Sequence, residues 1–156
     1  MHEEDFLKIK EVIGRLRSDA NAKLVVLVDK NGQQIASHGD MDVDATSLAS
    51  LTAGNVAATD GLARLIGEKE FSILFHEGER DNLHISVVAT RVILVVVFDE
   101  RSSLGLVRLR VKKASVELTE IFQEMEVHAQ QRASEGGFDS PFAEITDDDI
   151  DSLFSD

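Results

Sequence analysis

The run VILVVVF, Val92 to Phe98, carries no polar side chain at any position. A half-exposed strand alternates apolar and polar residues, so a strand that is apolar throughout is covered on both faces. Helices must therefore lie on both sides of whatever sheet contains it. Only Thr90 and Arg91 separate this run from LHISVVA, Leu83 to Ala89, which forces an antiparallel hairpin. LHISVVA and FSILF, Phe71 to Phe75, alternate with period two. Upstream, LVVLV (Leu24 to Val28) and QQIAS (Gln33 to Ser37) flank DKNG, whose Asn-Gly pair suits the left-handed turn of a tight hairpin.

Three helical stripes surround these strands. Phe6, Ile9, Val12, Ile13 and Leu16 form the first. Leu104, Val107, Val111, Ala114, Leu118, Ile121, Phe122 and Met125 form the last, with Arg108, Lys112 and Lys113 mostly outside it and an end near Glu126. The order is α-β-β-α-β-β-β-α. The middle helix begins near Asp44 or Thr46, either of which can cap it, and stops around Gly67. It has two apolar faces. Leu48, Leu51, Ala58, Leu62, Leu65 and Ile66 read as the core stripe, whereas Ser50, Ala53, Gly54, Ala57 and Gly61 form a smooth opposite side. A mid-helix glycine costs roughly 1 kcal/mol relative to alanine, so a face with two of them implies close approach of another surface.

The remainder divides into a linker over 127–140, polar and bearing Gly136 and Gly137, and an acidic segment over 141–156. In that segment Thr146 and the acids Asp147, Asp148 and Asp149 form a strong helix start, and Phe142, Ile145, Ile150, Leu153 and Phe154 supply apolar anchors. So short a helix is marginal alone, which favours a motif that docks on a basic, grooved partner over a merely solubilising tail.

Of the formal charge of -13, residues 127–156 contribute -7, from eight acids against Arg132. That balance repels nucleic acid and anionic membrane. The chain has no cysteine, hence no disulfide and no thiolate site, and no apolar stretch near the ~20 residues of a membrane helix. MHEEDFLKIK lacks the pattern of a secretory signal, and a cytoplasmic protein is expected. Catalytic material is thin. His76 and His84 lie on neighbouring strands where they could approach each other near Glu77 or Asp81, but no third metal ligand is fixed by spacing. GLVRLRVKK reads as a solvated helix face, since no stacking aromatics accompany its bases. Neither GxxxxGK[ST] nor GxGxxG occurs, so no phosphate-cradling loop, no catalytic residue and no cofactor are expected.

LVVLVDKNGQQIAS, SLASLTAGNVAATDGLARLIGE, VILVVVFDERSSLGLVRLRVKKA and ITDDDIDSLFSD together resemble the roadblock/dynein-light-chain family, in particular its members that partner a bacterial Ras-like GTPase of the MglA type. The resemblance spans essentially the whole chain and is most specific in the second helix and the acidic terminus. It implies an α/β roadblock domain over 1–126: an α-β-α sandwich with a five-stranded, mainly antiparallel sheet of order 2-1-5-4-3. The long second helix would cover one face, and the first and last helices the other. It implies a homodimer through the second helices and the edge strand with Phe71, Ile73 and Phe75. It further implies a surface shared between dimer and GTPase contacts at Ser50, Ala53, Gly54, Ala57, Gly61 and Arg64, and a non-enzymatic activator that orders the GTPase's own loops in cell polarity and gliding motility, enriched at a cell pole through partners, other polarity proteins among them. The C-terminal helix is similar to one linked to nucleotide exchange. A scaffold without GTPase stimulation, or a small-molecule sensor, is the alternative.

Overall fold

Strand β5 (Val92–Phe98) is buried at all seven positions, as a strand covered on both faces must be. A computed structural model describes residues 2–136. In chain order α1 (Glu3–Asp19), β1 (Leu24–Asp29), β2 (Gln34–Gly39), α2 (Ala45–Leu65), β3 (Ile73–Glu77) and β4 (Asn82–Val88) precede β5, and α3 (Leu104–Gly136) follows it. The sheet has five strands in the order β2-β1-β5-β4-β3, and every neighbouring pair is antiparallel. The chain divides into two units, Met1–Ile121 and Phe122–Asp156.

Register assigns each side chain to a face. Pairing sets Val26 opposite Val95 and Ile85 opposite Val95, so these residues share one side with Leu24, Val28, Ile93 and Val97. That side is the core beneath α2, to which the helix contributes Ala49 and Val56. The alternate positions Val25, Leu27, Leu94 and Val96 are equally buried and point the other way. Helix α1 packs on β1 and β2 and buries Ile9, Val12, Ile13 and Leu16, and α3 buries Val107, Val111, Ala114 and Leu118. An Arg15 to Glu117 ion pair, 3.0 Å, ties those two helices together at the surface.

Three local details depart from the sequence reading. Phe6 is 36% exposed rather than core. In the β1-β2 turn only Gly32 has a positive φ, +93°; Asn31 instead donates its N–H to the Asp29 carboxylate at 2.9 Å. Helix α3 runs to Gly136, beyond the end expected near Glu126. The linker reading rested on the loss of apolar periodicity, but Ala129, Gln130, Gln131, Arg132 and Ala133 are good helix formers, and no breaker intervenes before Gly136.

Candidate functional site

Asp44 caps α2, its carboxylate accepting the Ser47 N–H at 3.0 Å. The other end closes on Gly67, at φ +86°, with the Glu68 N–H reaching back to the Ala63 carbonyl at 2.8 Å. Both boundaries agree with the sequence reading. The rotation of the helix does not. Its buried residues are Ala49, Thr52, Val56 and Ala63, all small or branched. Leu51, Leu62, Leu65 and Ile66, expected in the core, are exposed by 74, 58, 83 and 70%, and Ala58 is exposed with them. Of the expected stripe only Leu48 packs against the core.

The reason lies under the helix. The sheet face there is already filled by Val26, Val28, Ile93 and Val95, so small residues let the α2 backbone lie close to it. The β1-β2 turn also crowds the helix: a Cβ on Gly32 would lie 3.5 Å from Ser50 Cα and 3.7 Å from the Ala53 methyl. Ala53, assigned from sequence to the smooth outer face, is therefore a half-buried contact of the domain itself. Ser50, Gly54, Ala57, Gly61 and Arg64 are exposed, as expected.

At about 3.6 residues per turn the exterior of α2 resolves into two adjacent strips. One holds Leu51, Ala58, Leu62 and Leu65. The other holds Ser50, Gly54, Ala57, Gly61 and Arg64. A Cβ built on Gly54 or Gly61 would meet nothing within 4 Å, so nothing among the described residues requires glycine at either position. The leucine strip, interrupted by the half-buried Asn55, is predominantly apolar surface of the kind that marks an interaction site.

The outer strand β3 carries a second apolar exposure, Ile73 at 50% and Phe75 at 36%. Phe75 stacks on Phe98 with ring centroids 6.2 Å apart. Phe71 is half-buried and precedes the strand, which begins at Ile73 rather than at the expected Phe71. Phe142, Ile145, Ile150, Leu153 and Phe154 lie outside the described residues.

His76 and His84 do not approach each other as a pair: Phe75 is the residue opposite His84, which puts the two imidazoles on opposite faces of the sheet. No group of three or more His, Asp or Glu side chains that could hold a metal occurs among the described residues. His84 is instead enclosed, 1% exposed, and neither ring nitrogen has a hydrogen-bond partner there. Burial first, and the Arg108 charge second, hold its pKa below the ordinary 6.5 and keep the ring neutral at pH 7. Sequence inspection could place His84 away from Leu83 and Ile85. It could not show an open space in front of it.

Residues 8–98 match the model of the Roadblock/LC7 domain. A solved structure of Myxococcus xanthus MglB is 64% identical over 80% of this chain and 94% of its own, with a TM-score of 0.76. The gliding protein MglB of Thermus thermophilus is 34% identical over 80% of this chain and 95% of its own, also at 0.76. An MglB solved in a tetrameric arrangement is 32% identical over 80% and 94% of the two chains, at 0.75.

Proposed function

The chain belongs to the Roadblock/LC7 family, and on that premise we propose that it is a homodimeric regulatory partner of a small Ras-like GTPase of the MglA type, stimulating GTP hydrolysis without supplying a catalytic group. The observation that carries this reading is the open glycine face of α2. Gly54 and Gly61 weaken the helix by roughly 1 kcal/mol each and nothing among the described residues asks for them. A surface kept this smooth is suited to a partner whose backbone comes close.

The two strips divide the work. Self-association falls to the leucine strip, since durable interfaces between copies are the more apolar ones. An antiparallel pair of α2 helices centred on Ala58 sets Leu51 of one copy beside Leu65 of the other, and Leu62 over the space left by Gly54. The exposed edge of β3, with Ile73 and Phe75, extends the same contact and removes an aggregation-prone edge. The tetrameric arrangement of a relative supports association between copies. The strip of Ser50, Ala57, Gly61 and Arg64 then faces the GTPase, with Gly54 at the border of the two contacts. Phosphoryl transfer is governed by positioning and electrostatics, so clamping the GTPase's mobile loops is enough to raise its rate. The acidic segment over 141–156 retains the docking role that the resemblance implies, assisting nucleotide exchange, and the pair acts in cell polarity and motility.

Single-turnover GTP hydrolysis by a purified MglA-type GTPase tests this reading. The full-length chain should accelerate it. Binding to the GTP-loaded form with an unchanged rate would make the protein a scaffold instead.

A further inference from the structure

Between strands β3 and β4 and helix α3 lies a cavity of about 760 Å³, large enough for a small organic ligand. Its floor is unusual in being polar and unpaired. His84 and Ser86 occupy alternate positions of β4 and so share the face that looks into the cavity. They are 1% and 5% exposed, and neither His84 nitrogen nor the Ser86 hydroxyl has a hydrogen-bond partner among the described residues. Buried polar atoms without partners are rare in native proteins, and each orphan needs an explanation.

The helix side of the cavity supplies charge. Arg108 and Lys112 stand one turn apart on α3, line the space, and form no ion pair among the described residues. From the sequence they read as a solvated face. Ile73, Val111 and Val116 make the walls apolar. The only acid in the lining is Glu120, which lies twelve residues beyond Arg108, about 18 Å along the helix at 1.5 Å per residue. Cations and unpaired polar atoms thus gather at one end, while Ile73, Val87, Val111 and Val116 supply apolar surface beside the polar Ser115 and Thr119.

We infer that this cavity is a binding site for a small amphiphilic carboxylate, its head group held by Arg108, Lys112, His84 and Ser86 and its apolar chain lying along α3 toward Val116. The neutral imidazole donates one N–H to the carboxylate, the serine donates its hydroxyl, and the two cations neutralise the charge at the mouth. Arg108 to Val116 is eight residues, about 12 Å of helix, which suits a medium-length chain. The site lies on the sheet face opposite α2, and it shares only Ile73 with the β3 edge proposed for self-association.

Titration of the full-length protein with decanoate, followed through the His84 ring ¹H–¹⁵N signals, tests the assignment. Decanol and decyltrimethylammonium serve as charge controls. Saturable shifts are expected for decanoate, with binding at least about tenfold weaker for decanol and none for the cation. The double variant Arg108→Gln/Lys112→Gln changes exposed side chains, so it should fold normally and lose about tenfold or more in decanoate affinity. Ser86→Ala should weaken binding less. Equal affinity for decanol, unsaturable shifts, or an unaffected double variant would overturn the proposal. So would His84 shifts that follow protein concentration rather than decanoate, which would identify a second copy as the occupant.

Discussion

Helices α2 and α3 are both amphipathic on paper, yet they bury opposite kinds of residue. In α3 Val107, Val111 and Leu118 are buried, while Lys112 and Lys113 face outward together with Leu109 and Val116. In α2 the inward residues are Ala49, Thr52, Val56 and Ala63, and the leucines face outward. A helix that spends its bulk on the protein's own core has finished packing when the chain has folded. One that spends alanine there and leucine outside has apolar surface left to cover. The contrast favours α2 as the interaction element proposed above, with α3 closing a cavity on the other face of the sheet.

The contrast can be broken most forcefully at the small-residue strip. Ala57→Arg or Gly61→Arg should lower affinity for the GTP-loaded GTPase by about a hundredfold or more, as loss of a central contact does, while the circular dichroism of the free protein is unchanged. Isothermal titration calorimetry reads the affinity. On the neighbouring strip, Leu51→Glu combined with Leu62→Glu should leave α2 helical but raise the dimer dissociation constant by at least about thirtyfold, visible in sedimentation equilibrium. Were the leucines merely surface decoration, that variant would sediment as the parent does.

Glycine substitutions sharpen the comparison because they should act in opposite directions. Gly61→Ala should stabilise the helix by up to about 1 kcal/mol in urea unfolding, and should also weaken GTPase binding. Gly105, in α3, likewise has open space around its Cβ. Gly105→Ala should therefore leave GTPase binding alone. A Gly61→Ala variant that gains stability at no cost in affinity would remove the argument from the glycine face.

The smallest effect lies under α3. The folded pKa of His84 is lowered, chiefly by burial and then by Arg108. The unfolded chain therefore takes up the proton first. The associated stability is fully present above about pH 6.5, the unfolded value, and is lost as pH falls below it. Urea midpoints at pH 7.5 and 5.5 should differ less in His84→Leu than in the parent. An identical difference would show that His84 does not titrate on unfolding.

Much of this was readable in the chain. VILVVVF demanded cover on both faces and received it, Asp44 and Gly67 bounded α2 correctly, and the resemblance supplied the strand order that the register confirms. The rotation of α2 was not readable. Periodicity shows that a helix has an apolar face, but with two such faces it cannot say which one meets the sheet. The decision belongs to Val26, Val28 and Val95, over which Ala49, Thr52, Val56 and Ala63 fit and the row of leucines does not, and to Gly32, which presses the turn against Ser50 and Ala53. Likewise, alternation placed His84 on a face of β4, but the cavity before it depends on the distance between β4 and α3, a tertiary quantity absent from local pattern.

Light scattering during size-exclusion chromatography of Ala57→Arg, mixed with excess GTP-loaded GTPase, tests the division of the α2 exterior in one measurement. The expected result is a species at twice the 17.1 kDa of the chain, eluting free of GTPase. A monomer would place self-association on the small-residue strip, and a complex retaining GTPase would remove that strip from the partner's interface.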